Sequence, residues 1–145
     1  MKKTLFTAII AFATVIVSIA QSNTQALIPY PNSIEQGVDG KTFTINDKTV
    51  ICSTLNGDAF VIGELQRILN KRLGTTPAFS NTKQNKNIVL LEIDSTLEGR
   101  EHYTLEVNKS GIHIKGASEG ALFLALQTLD QLLIGDVCNT ANKKI

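Results

Sequence analysis

Residues 111–133, GIHIKGASEGALFLALQTLDQLL, restrict the fold more than any other stretch of the chain. Ile112 and Ile114 point one way and His113 and Lys115 the other, which is the period of a strand. From Ser118 or Glu119 onward the period changes to that of a helix. Leu122, Ala125, Leu126, Leu129, Leu132 and Leu133 then make one stripe. Burying such side chains is worth roughly 1.5–3 kcal/mol each before entropy is subtracted. Phe123 and Leu124 fall outside the stripe, so the first half of the helix is apolar nearly all round. A helix of that kind needs cover on more than one side. One small sheet covers one side, and the expected second cover is a neighbouring domain or a long loop of this chain.

The preceding residues 102–108 alternate, with Tyr103, Leu105 and Val107 on one face and His102, Thr104 and Glu106 on the other. A turn at 108–111, with Gly111 where positive φ is expected, pairs Val107 with Ile112 and Leu105 with Ile114. A slip of one residue would put apolar side chains on the wrong face. The same register sets Glu106 opposite His113, where a surface ion pair is expected, and Thr104 opposite Lys115. Residues 88–91, Ile-Val-Leu-Leu, are apolar without alternation and predict a central strand covered on both faces.

A second helix is predicted over 58–73. Val61, Ile62, Leu65, Ile68, Leu69 and Leu73 form its stripe, Asp58 its N-cap and Gly74 its left-handed C-terminal stop. Residues 42–45 and 49–53, joined by Asn46-Asp47-Lys48, predict a short hairpin or meander. Leu27-Ile28-Pro29-Tyr30-Pro31 loses two N–H donors to proline and reads as an extended segment lying on the domain. Residues 77–86 and 94–100 read as loops. These elements imply an α+β fold: a small, largely antiparallel sheet with two helices on one face.

The N-terminus reads as an export signal. Met1-Lys2-Lys3 is basic, an uncharged apolar run follows, and Ser18-Ile19-Ala20 is a small-x-small cleavage site. The apolar run is shorter than the roughly 20 residues of a spanning helix. The chain therefore divides into 1–20, a signal peptide, 21–134, the domain, and 135–145, a tail. Without Lys2 and Lys3 the basic count falls from 14 to 12 against 13 acids, a net charge of −1. No basic stripe remains for nucleic acid. Cys52 and Cys138 form no disulfide framework by spacing. Buried or unpaired thiols and a Cys52–Cys138 bridge are the two readings.

Sites for chemistry are scarce. There is no P-loop, dinucleotide fingerprint, HExxH or CxxC. His102 and His113 stand far apart along the hairpin, too far to share an ion. Glu92 and Asp94 share a strand face, where solvation at a strand end outweighs a catalytic pairing. Glu98, Arg100 and Glu101 read as loop charges. No catalytic, cofactor-binding or metal-binding residue is assigned.

The helix ending Gln127-Thr128-Leu129-Asp130-Gln131-Leu132-Leu133, after the strand-and-link 111–118, resembles the end of the N-terminal domain of family 20 glycoside hydrolases, the β-N-acetylhexosaminidases. Residues 101–107, EHYTLEV, are similar to that family's preceding strand. Leu27 to Ile34 is similar to its Pro-x-Pro opening, and Phe43-Thr44-Ile45 to its next strand. The resemblance implies a small α+β domain that packs on a (β/α)₈ barrel, here through Phe123 and Leu124. That barrel removes terminal N-acetylhexosamine from glycans, with the substrate's acetamido oxygen as nucleophile, an exception to the two-carboxylate scheme. The family's adjacent Asp-Glu pair has no counterpart, because the chain contains no Asp-Glu dipeptide. The resemblance thus implies an exported bacterial domain, periplasmic or extracellular, inactive alone, with its glycan bound only by the missing barrel and with no cofactor. Residues 135–145 would be a truncated linker. The alternatives are a freestanding glycan- or protein-binding module, which the absence of Trp disfavours, and the equivalent domain of an O-GlcNAcase-like or α-glucuronidase family.

Overall fold

Ile88, Val89, Leu90 and Leu91 are all buried and stand in the middle strand of a five-stranded sheet. The computed structural model describes residues 27–35 and 42–134. The expected signal peptide at 1–20, the tail at 135–145 and Cys138 lie outside the described residues. In chain order the elements are β1 (Val50–Ser53), α1 (Phe60–Leu73), β2 (Ala78–Ser80), β3 (Ile88–Ile93), β4 (Tyr103–Asn108), β5 (Gly111–Gly116) and α2 (Glu119–Leu132).

The strands lie in the order β2-β1-β3-β5-β4. β1 runs parallel to both β2 and β3, and β3 runs parallel to β5. Only the edge pair β4–β5 is antiparallel. The α+β class stands, but the expected largely antiparallel sheet is corrected to a mixed, mostly parallel one. The reason lies in the connections. Parallel neighbours need a crossover, and α1 supplies it between β1 and β2. The expected hairpin of 42–45 with 49–53 is likewise not formed. Thr44 makes a lone bridge, and β1 turns its edges to β2 and β3 instead. Phe43 and Ile45 are nevertheless buried in the main core, as their alternation implies.

The register sorts side chains cleanly. Ile51, Val89 and Ile112 form one row, and Leu91 and Ile114 stand in the next row on the same face. Both helical stripes pack onto that face in one cluster. All six apolar residues named for α1 are buried, as are Leu122, Ala125, Leu126, Leu129 and Leu133 near or in α2, while Leu132 is half-buried. Gly74 closes α1 in the left-handed conformation at φ 66°, its N–H donating to Asn70 O. The start of α1 differs from expectation. Ala59 occupies the N-cap with no side-chain bond, because the turn from Asn56 to Ala59 leaves Asp58 outside the helix. At α2, Ser118 is the cap, its hydroxyl accepting from Ala121 N at 3.1 Å and donating to Arg100 O at 2.7 Å.

The opposite face carries Cys52, Ile88 and Leu90. No helix lies there among the described residues. Residues 81–87 must run back past β1 to begin β3 parallel to β2, and they supply cover. Cys52 Sγ donates to Thr82 O at 3.5 Å, and Lys83 Nζ meets Glu92 at 2.9 Å. β2 sits inside the stretch expected to be a loop. Its three residues are too few to show a period, and the pairing with β1 is what makes them a strand.

The β4–β5 hairpin has the expected register at every position, including Glu106 opposite His113. The ion pair is not formed. Glu106 accepts from Asn108 Nδ2 at 2.9 Å, while His113 Nε2 lies 3.3 Å from Ser110 Oγ, so each side chain bonds near the turn on its own side. The demand on Gly111 is one of space. Its φ of 159° is near-extended, but a Cβ there would lie 2.1 Å from Ile88 O.

α1 and α2 run side by side in the same direction. Phe60 meets Phe123 at one end, and Arg72 reaches Asp130 near the other. Arg72 Nε and Nη2 contact the two Asp130 oxygens at 2.6 and 3.0 Å. The hydrogen-bonded guanidinium holds the Asp130 carboxyl below the ordinary carboxylate range against the opposing effect of burial.

Two outcomes follow from this packing. Gly111→Ala should destabilise the fold by about 3 kcal/mol, since a Cβ overlapping a backbone oxygen cannot be relieved by a rotamer; an unchanged urea midpoint would show that β3 and β5 separate freely there. Asp130, with a lowered folded pKa, contributes stability that is present above its unfolded value of about 4 and lost as pH falls through the folded value. Asp130→Asn should therefore lower the urea midpoint at about pH 6 and bring the variant level with the parent at about pH 2. An equal gap at both pH values would assign the effect to something other than the carboxylate.

Candidate functional site

The outward side of the helix pair holds an exposed apolar surface. Along α2, positions 120, 124, 127, 131 and 134 recur at helical spacing and form one stripe. Gly120, Leu124 and Ile134 are exposed on it, and Gln127 and Gln131 are half-buried. Phe123 lies beside this stripe, half-buried, packed on the exposed Phe60 ring with centroids 5.6 Å apart and planes inclined at 41°. Leu124 remains 38% exposed and Phe60 67%. Part of the cover expected for Phe123 thus comes from α1, and Leu124 meets none of comparable size among the described residues.

Polar groups flank this apolar end. Arg67 makes a two-pronged pair with Glu64 at 2.7 and 2.8 Å. The bonded Arg67 holds the Glu64 carboxyl below its usual range, and Gln127 lends a smaller push in the same direction. The Glu64 carboxylate is ionised and engaged, so it is not suited to moving a proton at neutral pH.

At the far end of the stripe, the segment around Ile28 lies against α2. Leu27 is buried, and Gln131 binds Ile28 with both halves of its amide. Gln131 Oε1 accepts from Ile28 N at 2.9 Å, and its Nε2 donates to Ile28 O at 2.8 Å. The segment lies on the domain as the sequence implies, but it is not extended throughout, since it bends at Ile28 and Pro29 across a cis peptide bond. Ile28 and Tyr30 point large side chains to solvent, 79% and 66% exposed.

The strand ends offer a shallow depression of about 230 Å³ lined by Thr54, Glu92, Ile93, Asp94, Ser95 and Lys115. Its charges are matched. Glu92 meets Lys83, and Asp94 meets Lys115 at 3.6 Å. The Thr96 hydroxyl and N–H hydrogen-bond Asp94 and are the main cause of its lowered carboxyl pKa, with Lys115 adding a smaller push. Asp94, held below the usual carboxylate range first by Thr96 and then by Lys115, is poorly suited to act as an acid. His102 lies just before β4 with Nδ1 3.0 Å from Glu98 O, whereas His113 is in β5. Among the described residues no three His, Cys, Asp or Glu side chains come together as metal ligands.

The sequence pointed to Phe123 and Leu124 but not to Phe60, Ile28, Tyr30 or Gln131. Phe60 had a legible sign, since it stands next to the α1 stripe yet off it, as Phe123 does in α2. The Gln131–Ile28 contact joins residues 103 positions apart, and no local pattern announces it.

A family model for glycosyl hydrolase family 20, domain 2, matches residues 24–145. A β-hexosaminidase of Porphyromonas gingivalis is 28% identical over 117 residues, which are 77% of this chain and 14% of that protein. Among solved structures, the family 20 exo-β-N-acetylglucosaminidase of Vibrio harveyi shares the fold with a TM-score of 0.65 at 24% identity, over 85% of this chain and 18% of that one. The family 20 β-N-acetylhexosaminidase of Streptomyces coelicolor aligns with a TM-score of 0.57 at 26% identity, over 75% of this chain and 22% of that one. The chain thus spans between 14% and 22% of the length of these relatives. Matched over residues 24–145 by the family model, the chain belongs to glycosyl hydrolase family 20, of which it carries domain 2.

Proposed function

We propose that this chain is the accessory domain of an exported bacterial β-N-acetylhexosaminidase and braces a catalytic (β/α)₈ barrel through Phe123 and Leu124. The carrying observation is the outward face of the helix pair, where Phe60, Phe123 and Leu124 leave apolar area exposed at one end of a well-buried core. Exposed apolar surface rimmed by polar groups is the usual mark of a contact surface. The rim here is Glu64, Arg67 and Gln127. The carboxylates of the described residues are bound by lysines, arginines, Thr96 or Asn108 where they are not simply solvated, so the hydrolysis of terminal N-acetylhexosamine belongs to the barrel.

Residues 1–20 would direct export and be removed after Ala20, placing the mature domain in the periplasm or outside the cell. The mature polypeptide should then begin at Gln21, which intact-mass measurement of the exported protein checks directly. Recovery of Met1 in the exported fraction would show retention of the segment as an anchor.

The 145-residue chain should show no release of N-acetylglucosamine from a chromogenic glycoside. Turnover at any level above the blank would place catalysis in this domain. In the full-length enzyme, Phe123→Asp should cost roughly 2 kcal/mol of domain contact, as a central interface truncation does. It should shorten the half-life of activity on heating while leaving KM for the glycoside unchanged. A raised KM with unchanged half-life would instead place Phe123 at a glycan-binding surface.

A further inference from the structure

We infer that the docking face extends from the helix pair onto residues 27–31, and that Gln131 positions this segment for contact with the catalytic domain of the same polypeptide. The inference rests on the proposed bracing role and adds a second contact region to it.

The geometry of Gln131 is specific. One side-chain amide donates to and accepts from the backbone of a single residue, Ile28, as a neighbouring strand would. The segment needs such a partner. Pro29 and Pro31 have no N–H, so it cannot be zipped into a sheet edge along its length. Leu27 anchors it in the core, and Gln131 fixes the next residue. The result is a backbone held at two adjacent points with Ile28 and Tyr30 displayed outward. Displaying two large apolar side chains on a fixed backbone has no benefit for the domain's own core. It lowers the ordering cost of a contact made elsewhere.

The occupant follows from where the chain goes. Gln131 lies on the stripe that contains Leu124, about 10 Å along the helix axis. Ile134, 60% exposed, sits three positions further on, and the family match continues from there to residue 145. The chain spans only 14% to 22% of the length of its family 20 relatives, so the greater part of such a protein lies outside this domain and is the occupant that the clamp would meet. Charge supports an apolar contact, because Ile28 to Ile34 carries no ionisable group other than Tyr30.

The test uses the full-length enzyme and the 145-residue chain together. In the short chain, Ile28→Ser with Tyr30→Ser should leave the thermal midpoint unchanged, since both side chains are already in solvent. In the full-length enzyme the same pair should shorten the half-life of activity on heating by roughly tenfold, equivalent to about 1.4 kcal/mol. Hydrogen exchange at the Ile28 amide should be slow in the parent, fast in Gln131→Ala and intermediate in Gln131→Glu, which keeps the acceptor and loses the donor. A half-life shortened by Phe123→Asp but not by the Ile28/Tyr30 pair overturns this inference and leaves the bracing role standing. A half-life changed by neither, or a reading frame that meets no barrel, overturns both. Equal exchange at Ile28 in the parent and in Gln131→Ala overturns the positioning role of Gln131.

Discussion

The double-sided burial of β3 is the constraint on which the structure depends. Ile88, Val89, Leu90 and Leu91 put apolar side chains on both faces of the sheet, so each face must be covered before this strand is stable. Val89 and Leu91 take the two helices. Ile88 and Leu90 take the segment 81–87, with Cys52 beside them. Because β1 pairs in parallel with both β2 and β3, the connections among these three strands cannot be tight turns and must cross a face, whereas β4 returns the chain to β5 within the sheet. The cover and the connections are therefore the same pieces of chain. α1 is both the crossover after β1 and half of the roof over Val89. Residues 81–87 are both the return path to β3 and the lid over Cys52.

This double duty explains what could be read from the sequence and what could not. Elements whose rules are local were legible. The helical stripes, the Gly74 stop, the start of α2 near Ser118, the β4–β5 register and the central place of residues 88–91 follow from periods and turn chemistry within a dozen residues. Pairing partners were not legible in the same way. Residues 49–53 and 88–91 are both apolar on two faces, which is the mark of parallel strands, yet the nearest strand-like neighbour of 49–53 is 42–45. Proximity in sequence favours a hairpin there, and only the crossover through α1 decides against it. β2 is three residues long and owes its existence to β1. Glu106 and His113 show the same limit at side-chain scale. Their facing positions followed from register, but their bonds were captured by Asn108 and Ser110, which are nearer along the chain and turn.

The candidate surface was half legible for a related reason. Phe123 and Leu124 stand out because they break a period, and a broken period in a helix points to a second contact. Phe60 breaks the period of α1 in the same sense, and its meeting with Phe123 depends on the two helices running parallel, which the sequence alone does not specify. Gln131 is harder still. Within α2 it is an ordinary polar residue on the wet side. Its partner, Ile28, is made available by two prolines at the other end of the domain.

These features bear on why a small domain would leave aromatic and aliphatic groups in solvent. Phe60 lies at the first position of α1, one residue after an N-cap with no side-chain bond. A polar residue there would serve the isolated helix better, since the first turn favours side chains that accept from free N–H groups. Leu124 could be Lys or Glu on the same stripe with no loss to the core. The choices at both positions disfavour the domain alone and favour a covered state. The helix pair is fixed to the sheet by more than a dozen buried residues in one cluster, so covering it would transmit force from the partner to β3 without a flexible layer between. Under the proposed bracing role such a domain is rigid where it supports, and its exposed apolar groups stand on the helix layer, which no second layer covers among the described residues.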